Sequence, residues 1–264
     1  MQKKLHHTSF YAMHTRMEIL MYGCDNVIFN EVAEQIMTKT QMLEKLMSRF
    51  DPKAELYNVN LEAHKNWVPL SKTLFNILDQ CIRFNQLTLG YFDVCYTIKK
   101  TITGIDIPRV LLDQKTLAVK FEHPDTTIDL GGVGKGIALD HIKNILKNYR
   151  IENALISFGE SSLLTLGKHP HGAYWPLSFH DQKQMPHTLQ MNNDAVSISG
   201  LHGTKAHISD PLTHKISNNK KMICVQADSA FDAEVLSTAL FVAPKESNEK
   251  ILQNFNIKQV IYGN

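Results

Sequence analysis

Apolar positions in this chain fall at two spacings, and the alternation between them predicts its elements. Across residues 27–50 Val32, Ile36, Met42, Leu43, Leu46 and Met47 recur at helical intervals, which predicts one long amphipathic helix broken by Asp51-Pro52. After Val68-Pro69-Leu70-Ser71 a second helix is expected, with Ser71 as N-cap and Leu74, Ile77, Leu78, Cys81 and Ile82 along one face. Residues 140–149 and 232–242 read as two more. Strand patterns occupy residues 11–22, closed by a turn at 23–26, then 105–113 and 117–121 as a short pair, and 154–159 continued by 163–167. Further short strands are expected at 175–179, 195–199, 206–209, 222–225 and 258–262. Helices and hairpin-like strands without regular alternation favour an α+β fold over a doubly wound sheet.

One stretch breaks both spacings. Within Ile128-Asp-Leu-Gly-Gly-Val-Gly-Lys-Gly-Ile-Ala-Leu-Asp140, four of thirteen glycines fall within six residues, around Lys135. It reads as strand end, tight turn and helix start, with free amides, a helix N-terminus and one full positive charge for an anion, most naturally a phosphate. It is not a dinucleotide fingerprint, because Leu139 holds the third glycine's place. Nor is it a P-loop, because Gly136 follows Lys135 and Asp129 stands where the upstream glycine belongs. A glycine-rich turn that serves packing alone is the alternative reading.

Composition narrows the classes. With 264 residues and 43% hydrophobic content the chain can bury a real core, as one domain over 1–264 or two tightly joined α/β subdomains. A net charge of +2 from 28 basic and 26 acidic residues, well mixed, leaves no basic stripe for nucleic acid. Cys24, Cys81, Cys95 and Cys224 form no C-x-x-C pair, which argues against a zinc site or disulfide framework. No transmembrane segment and no apolar run of signal-peptide length is present. The expected location is therefore cytoplasmic as written, or periplasmic or membrane-anchored if a leader precedes it.

Two further groups could carry chemistry. Glu234 and Thr238, four apart in the last predicted helix, share one face, with Ser237 adjacent. Such oxygen ligands suit Mg2+, although an acid with a hydroxyl one turn later also describes a solvated helix face. His207, in His207-Ile-Ser-Asp-Pro211, could act as a general base near neutral pH or be structural. His169 and His171 lack companion ligands and read as loop residues.

Taken in order, these segments resemble the ApbE-type flavin transferases, the FAD:protein FMN transferase family, over nearly the whole chain. Ala12-Met13-His14-Thr15 is similar to A-M-G-T, Phe50-Asp-Pro-Lys-Ala-Glu-Leu56 through Asn60 to aromatic-D-P-x-S-E-L ending in asparagine, and Gly90-Tyr-Phe-Asp93 to G-x-F-D. The central stretch resembles D-L-G-G-x-x-K-G-x-x-x-D. Ser199-Gly200, His207-Ile-Ser-Asp-Pro211 and Leu236-Ser-Thr-Ala-Leu240 fall where T-S-G, H-I-I-D-P and L-S-T-A-L belong.

The resemblance implies an ApbE-like, T-fold-related architecture of mixed or antiparallel sheets packed with helices. It also implies an Mg2+-dependent enzyme that cleaves the pyrophosphate of FAD, attaches FMN to a threonine hydroxyl of a partner protein and releases AMP. On it, Met13, Phe50, Tyr91, Phe92, Asp93, Asp129, Lys135 and Ile208 contact FAD. The Gly132 carbonyl, Glu234, Ser237 and Thr238 hold the metal, and His207 is the base. The chain departs from the family pattern at Glu234 (aspartate), His14 (glycine), Ala54 (serine) and His214 (glycine after D-P-x-T). Two alternatives stay open: the same site with water in place of the acceptor, an FAD pyrophosphatase giving FMN and AMP, and, on the strength of Glu234 and the changed glycines, a catalytically silent FAD-binding protein.

Overall fold

The computed structural model describes residues 4–97, 110–181, 183–200, 208–213, 216–217 and 221–263. Strands β1 (Leu5–Ala12) and β2 (Thr15–Tyr22) form a hairpin, followed by helices α1 (Asn26–Met47) and α2 (Glu55–Glu62), strand β3 (Val68–Pro69) and helix α3 (Lys72–Leu87). Short strands β4 (Cys95–Thr97), β5 (Val110–Asp113), β6 (Ala118–Phe121) and β7 (Thr126–Ile128) lead into α4 (Gly134–Asn148). Then come β8 (Asn153–Phe158), β9 (Ser162–Leu166), β10 (Trp175–His180), β11 (Pro186–Met191), β12 (Ala195–Ser199) and β13 (Met222–Ala227). Helices α5 (Ala230–Val242) and α6 (Lys245–Leu252) and strand β14 (Ile257–Gly263) complete the order.

The fold is α+β, with every strand pairing antiparallel among the described residues. A seven-stranded sheet runs β1-β2-β8-β9-β12-β13-β14, beside small sheets β3-β6-β5, β4-β7 and β10-β11. Helix α5 packs on β12 and β13, α4 on β9 and on α5, and α1 on α4 and β1. The opposite face carries a second apolar layer, where Leu163, Val196, Met222 and Cys224 meet Trp175, Leu189 and Met191. Because the central strands are covered on both sides, β9 and β13 are buried at every position, and the polar side chains they carry, Ser162, Thr165 and Gln226, are all hydrogen-bonded inside. No helix among the described residues is long and apolar enough to cross a membrane.

Several expected boundaries move. Residues 11–22 are not one strand: Met13 (φ 48°) and His14 (φ 61°) make a two-residue turn that divides it, without the usual glycine or asparagine. The long helix starts behind Asp25, whose carboxylate accepts the Ile28 amide at 2.8 Å, and it stops at Met47, where Ser48 turns extended. The runs at 154–159 and 163–167 are two paired strands, not one. Helix α4 begins at Gly134, so half of the glycine turn is already helical. The strand expected at 105–113 is seen as Val110–Asp113, its earlier part lying outside the described residues. Of 206–209, only Ile208 and Ser209 are described, and Ser209 makes a single bridge to Ile216.

Candidate active site

Strand β7 ends in a clamp. The Asn60 side-chain amide donates to the Ile128 carbonyl at 2.9 Å and accepts the Ile128 N–H at 2.8 Å, tying α2 to the strand 68 residues away. The next amide, Asp129 N–H, donates to the Val94 carbonyl at 2.8 Å. Asp129 Oδ1 then accepts the Gly131 N–H at 2.8 Å, which closes the turn. A Cβ at Gly132 would meet nothing within 4 Å, so this part of the turn faces open space.

Val133, the N-cap of α4, offers no side-chain acceptor. A residue from α5 supplies one. Glu234 Oε2 accepts the Gly136 N–H at 2.9 Å, while Oε1 takes the Lys135 ammonium at 3.0 Å and the Ser162 hydroxyl at 2.5 Å. Glu234 is 2% exposed, and a charge so buried is tolerable only with such partners. In the other direction, Asp140 on α4 accepts Ser229 Oγ at 2.8 Å, Ala230 N at 2.8 Å and Phe231 N at 3.1 Å at the start of α5. The two helices therefore cap each other.

A cleft of about 500 Å³ opens beside this junction. Its walls come from separate segments: Phe92, Asp93 and Cys95; Asp129, Gly131, Gly132 and Lys135; Ser197 to Gly200; Ile208, Ser209 and Pro211; and Glu234 with Thr238 on α5. Asp93 sits in a turn pinned by Asn85, which donates to the Phe92 carbonyl at 2.8 Å, and its own Oδ1 accepts the Cys95 N–H at 2.8 Å. Burial and the Asp93 carboxylate push the Cys95 thiol well above its ordinary value, so it remains protonated and is a poor nucleophile. A smaller hollow of about 210 Å³ adjoins the cleft and shares Asp129, Gly131 and Lys135 with it. Met13, His14, Glu44, Arg49 and Phe50 line it. Arg49 lies 4.5 Å over the Phe50 ring and 3.3 Å from Asp129, and Glu44 accepts the Met13 N–H at 2.8 Å.

The sequence profile of the ApbE family matches residues 13–261. The chain belongs to the ApbE family. Relatives include an FAD:protein FMN transferase of Klebsiella pneumoniae, 23% identical over 84% of this chain and 77% of that protein. One from Vibrio cholerae is 24% identical over 76% of this chain and 70% of its own length. Among solved structures, flavin transferase ApbE from Vibrio cholerae superposes with a TM-score of 0.84 at 20% identity, covering 98% of this chain and 93% of that one. The ApbE protein of Thermotoga maritima gives 0.79 at 21% identity, covering 95% and 91%. At such identities the superpositions establish the fold.

Within this ApbE fold, most of the expected residues converge. Phe92, Asp93, Asp129, Gly132, Lys135, Ile208, Glu234 and Thr238 line the cleft, and Met13 and Phe50 line the hollow. Tyr91 lines neither and packs against the apolar core. Ser237 does not line the cleft but lies behind its Ser197–Ser199 wall: its hydroxyl donates to the Glu234 carbonyl at 3.2 Å and meets Ser197 and Ser199 at 2.9 and 3.0 Å, which fills its hydrogen-bonding capacity. His207 lies outside the described residues. The expectation of free turn amides needs revision, because Gly131, Gly134 and Gly136 all donate within the protein. Among the described residues, Lys135 is the cation that lines the cleft. Sequence reasoning did not pick out Ser162, Asp140 or Arg49 as site residues. Asp140 was visible as the last residue of the glycine motif, whereas Ser162 and Arg49 gave no local signal.

Proposed function

We propose that the chain is a flavin transferase that takes FAD, cleaves its pyrophosphate and attaches FMN to a threonine hydroxyl of an acceptor protein, releasing AMP. The observation that carries this reading is the meeting of Lys135 and Glu234, 3.0 Å apart, where the larger cleft joins the smaller hollow. FAD is a molecule with two ring systems joined by a diphosphate, and two adjoining hollows sharing one lysine suit it. The names of the relatives, FAD:protein FMN transferases, support transfer of FMN from FAD to a protein.

The donor set fits Mg2+. It consists of oxygen donors in one cleft: the Glu234 carboxylate, the Thr238 hydroxyl and the Gly132 carbonyl. Three of the roughly four acceptor sites of Glu234 are taken among the described residues, leaving one on Oε2. Ser237, already saturated, is not assigned to the metal. Bound there, Mg2+ would supply charge stabilisation to the diphosphate oxygens.

In the proposed reaction the threonine oxygen forms a bond to the FMN-side phosphorus and the bond from that phosphorus to the AMP oxygen breaks. The hydroxyl proton passes to His207, the assigned base, and AMP leaves with the electron pair. Lys135 holds the diphosphate and offsets its developing charge, which is most of what a loose phosphoryl-transfer transition state requires. The exposed Phe50 ring offers a stacking surface.

The test is incubation with FAD, Mg2+ and a threonine-bearing acceptor protein. The expected result is an acceptor that carries flavin fluorescence on a denaturing gel, with AMP in equal amount by chromatography. FMN and AMP without labelled acceptor would replace this reading with hydrolysis. Intact FAD that binds but does not turn over would replace it with a binding protein.

A further inference from the structure

Strand β9 is buried at all five positions, and on its helix-facing side Ser162 stands in line with Leu164 and Leu166 of the main core. A hydroxyl 1% exposed among leucines is costly unless it is bonded. Its bond is to Glu234 Oε1, at 2.5 Å. We propose that Ser162 is the positioning residue for Glu234: it fixes the longer glutamate arm so that one acceptor site, on Oε2, is left for a divalent cation. This rests on the metal-assisted reading above.

Three groups hold the carboxylate, but they are not equivalent. The Lys135 side chain is 24% exposed at the cleft, on a flexible stem, and is free to follow a bound diphosphate. The Gly136 amide is fixed in the first turn of α4 and holds Oε2. Ser162, on a central strand buried on both faces, is the fixed partner of Oε1. Without it, the extra methylene of Glu234 would let the carboxylate swing about the single Gly136 bond.

Two measurements test this together. In the presence of FAD, Mn2+ binding is read from the electron paramagnetic resonance signal of the free ion. Ser162→Ala, and the near-isosteric weak donor Ser162→Cys, are each expected to weaken binding about tenfold to a hundredfold, the usual effect of removing a residue that orients a ligand. In metal-free and flavin-free protein, urea unfolding of the cycle Ser162→Ala, Glu234→Asp and the double variant separates positioning from packing. Ser162→Ala should lower the midpoint with Glu234 present and leave it unchanged with aspartate, whose shorter arm does not reach the strand. Unchanged Mn2+ affinity, an equal urea loss in both backgrounds, or a wild type that holds no Mn2+ would each overturn the proposal. The expected pattern in a protein that never labels an acceptor would instead remove the transferase reading and leave Ser162 in its role.

Discussion

At the scale of single residues, Gly136 sets how closely α4 approaches α5. A Cβ there would lie 2.7 Å from the Ala230 carbonyl oxygen and 3.0 Å from Phe231 Cα, both backbone atoms that cannot rotate away. Gly136→Ala should therefore lower stability by about 1–3 kcal/mol in urea unfolding, although alanine is the better helix former. A stability gain would mean that the helices can part freely. His14 is the converse case, an exposed residue held at φ 61° in a turn where glycine would be unstrained. His14→Gly is expected to raise stability by a few tenths to about 1 kcal/mol. Much of the site is legible at this scale. The glycine spacing, Lys135 and the Glu234/Thr238 pair all mark themselves by pattern. What the pattern cannot carry is who satisfies whom. The Gly136 amide belongs to a carboxylate 98 residues away, and Ser162 is an ordinary serine until Glu234 is seen beside it.

At the scale of elements, α1 and α3 are legible by their length and amphipathic spacing, whereas α5 shows as an apolar run that the fold buries nearly all round. Helices α2 and α6, only eight residues each, escape that reading, as does β11, which begins at Pro186. The mutual capping of α4 and α5 has a direct consequence. Asp140→Ala removes three hydrogen bonds from the start of α5 together with a charge favourable to its dipole, and should cost about 2 kcal/mol in urea unfolding. A loss below about 0.5 kcal/mol would show that water replaces the cap.

Helix α4 also carries His141, whose value is lowered first by burial and then by Lys39, with Asp140 opposing. The folded imidazole thus titrates below its unfolded value near 6.5, so the native state binds fewer protons in that interval. Its contribution is complete above about pH 6.5 and is lost as pH falls toward the folded value. His141→Gln should therefore narrow the difference in urea midpoint between about pH 7.5 and about pH 5.5. An equal difference in variant and wild type would move the pH dependence to other groups.

At the scale of the molecule, the cleft is assembled from segments scattered between Phe92 and Thr238, so a ligand that fills it bridges parts of the chain that fold from far apart. Binding to the folded state alone adds about 2.7 kcal/mol of stability at a ligand concentration one hundred times the Kd. Most residues that touch the cleft also hold the fold together. Lys135 pairs with a buried carboxylate, so its removal would perturb both folding and binding. Phe50 separates the two. The residue is 71% exposed, belongs to none of the apolar cores and has the Arg49 guanidinium over its ring. Phe50→Ala should leave the stability of the free protein within about 0.5 kcal/mol. Lost stacking on a flavin or adenine ring, about 1–3 kcal/mol, should weaken FAD binding roughly 5- to 150-fold in a fluorescence titration. The stabilisation by a fixed FAD concentration should shrink by the same free energy. An unchanged FAD affinity would remove the aromatic wall from the smaller hollow and leave Lys135 as the main contact between the ligand and that side of the cleft.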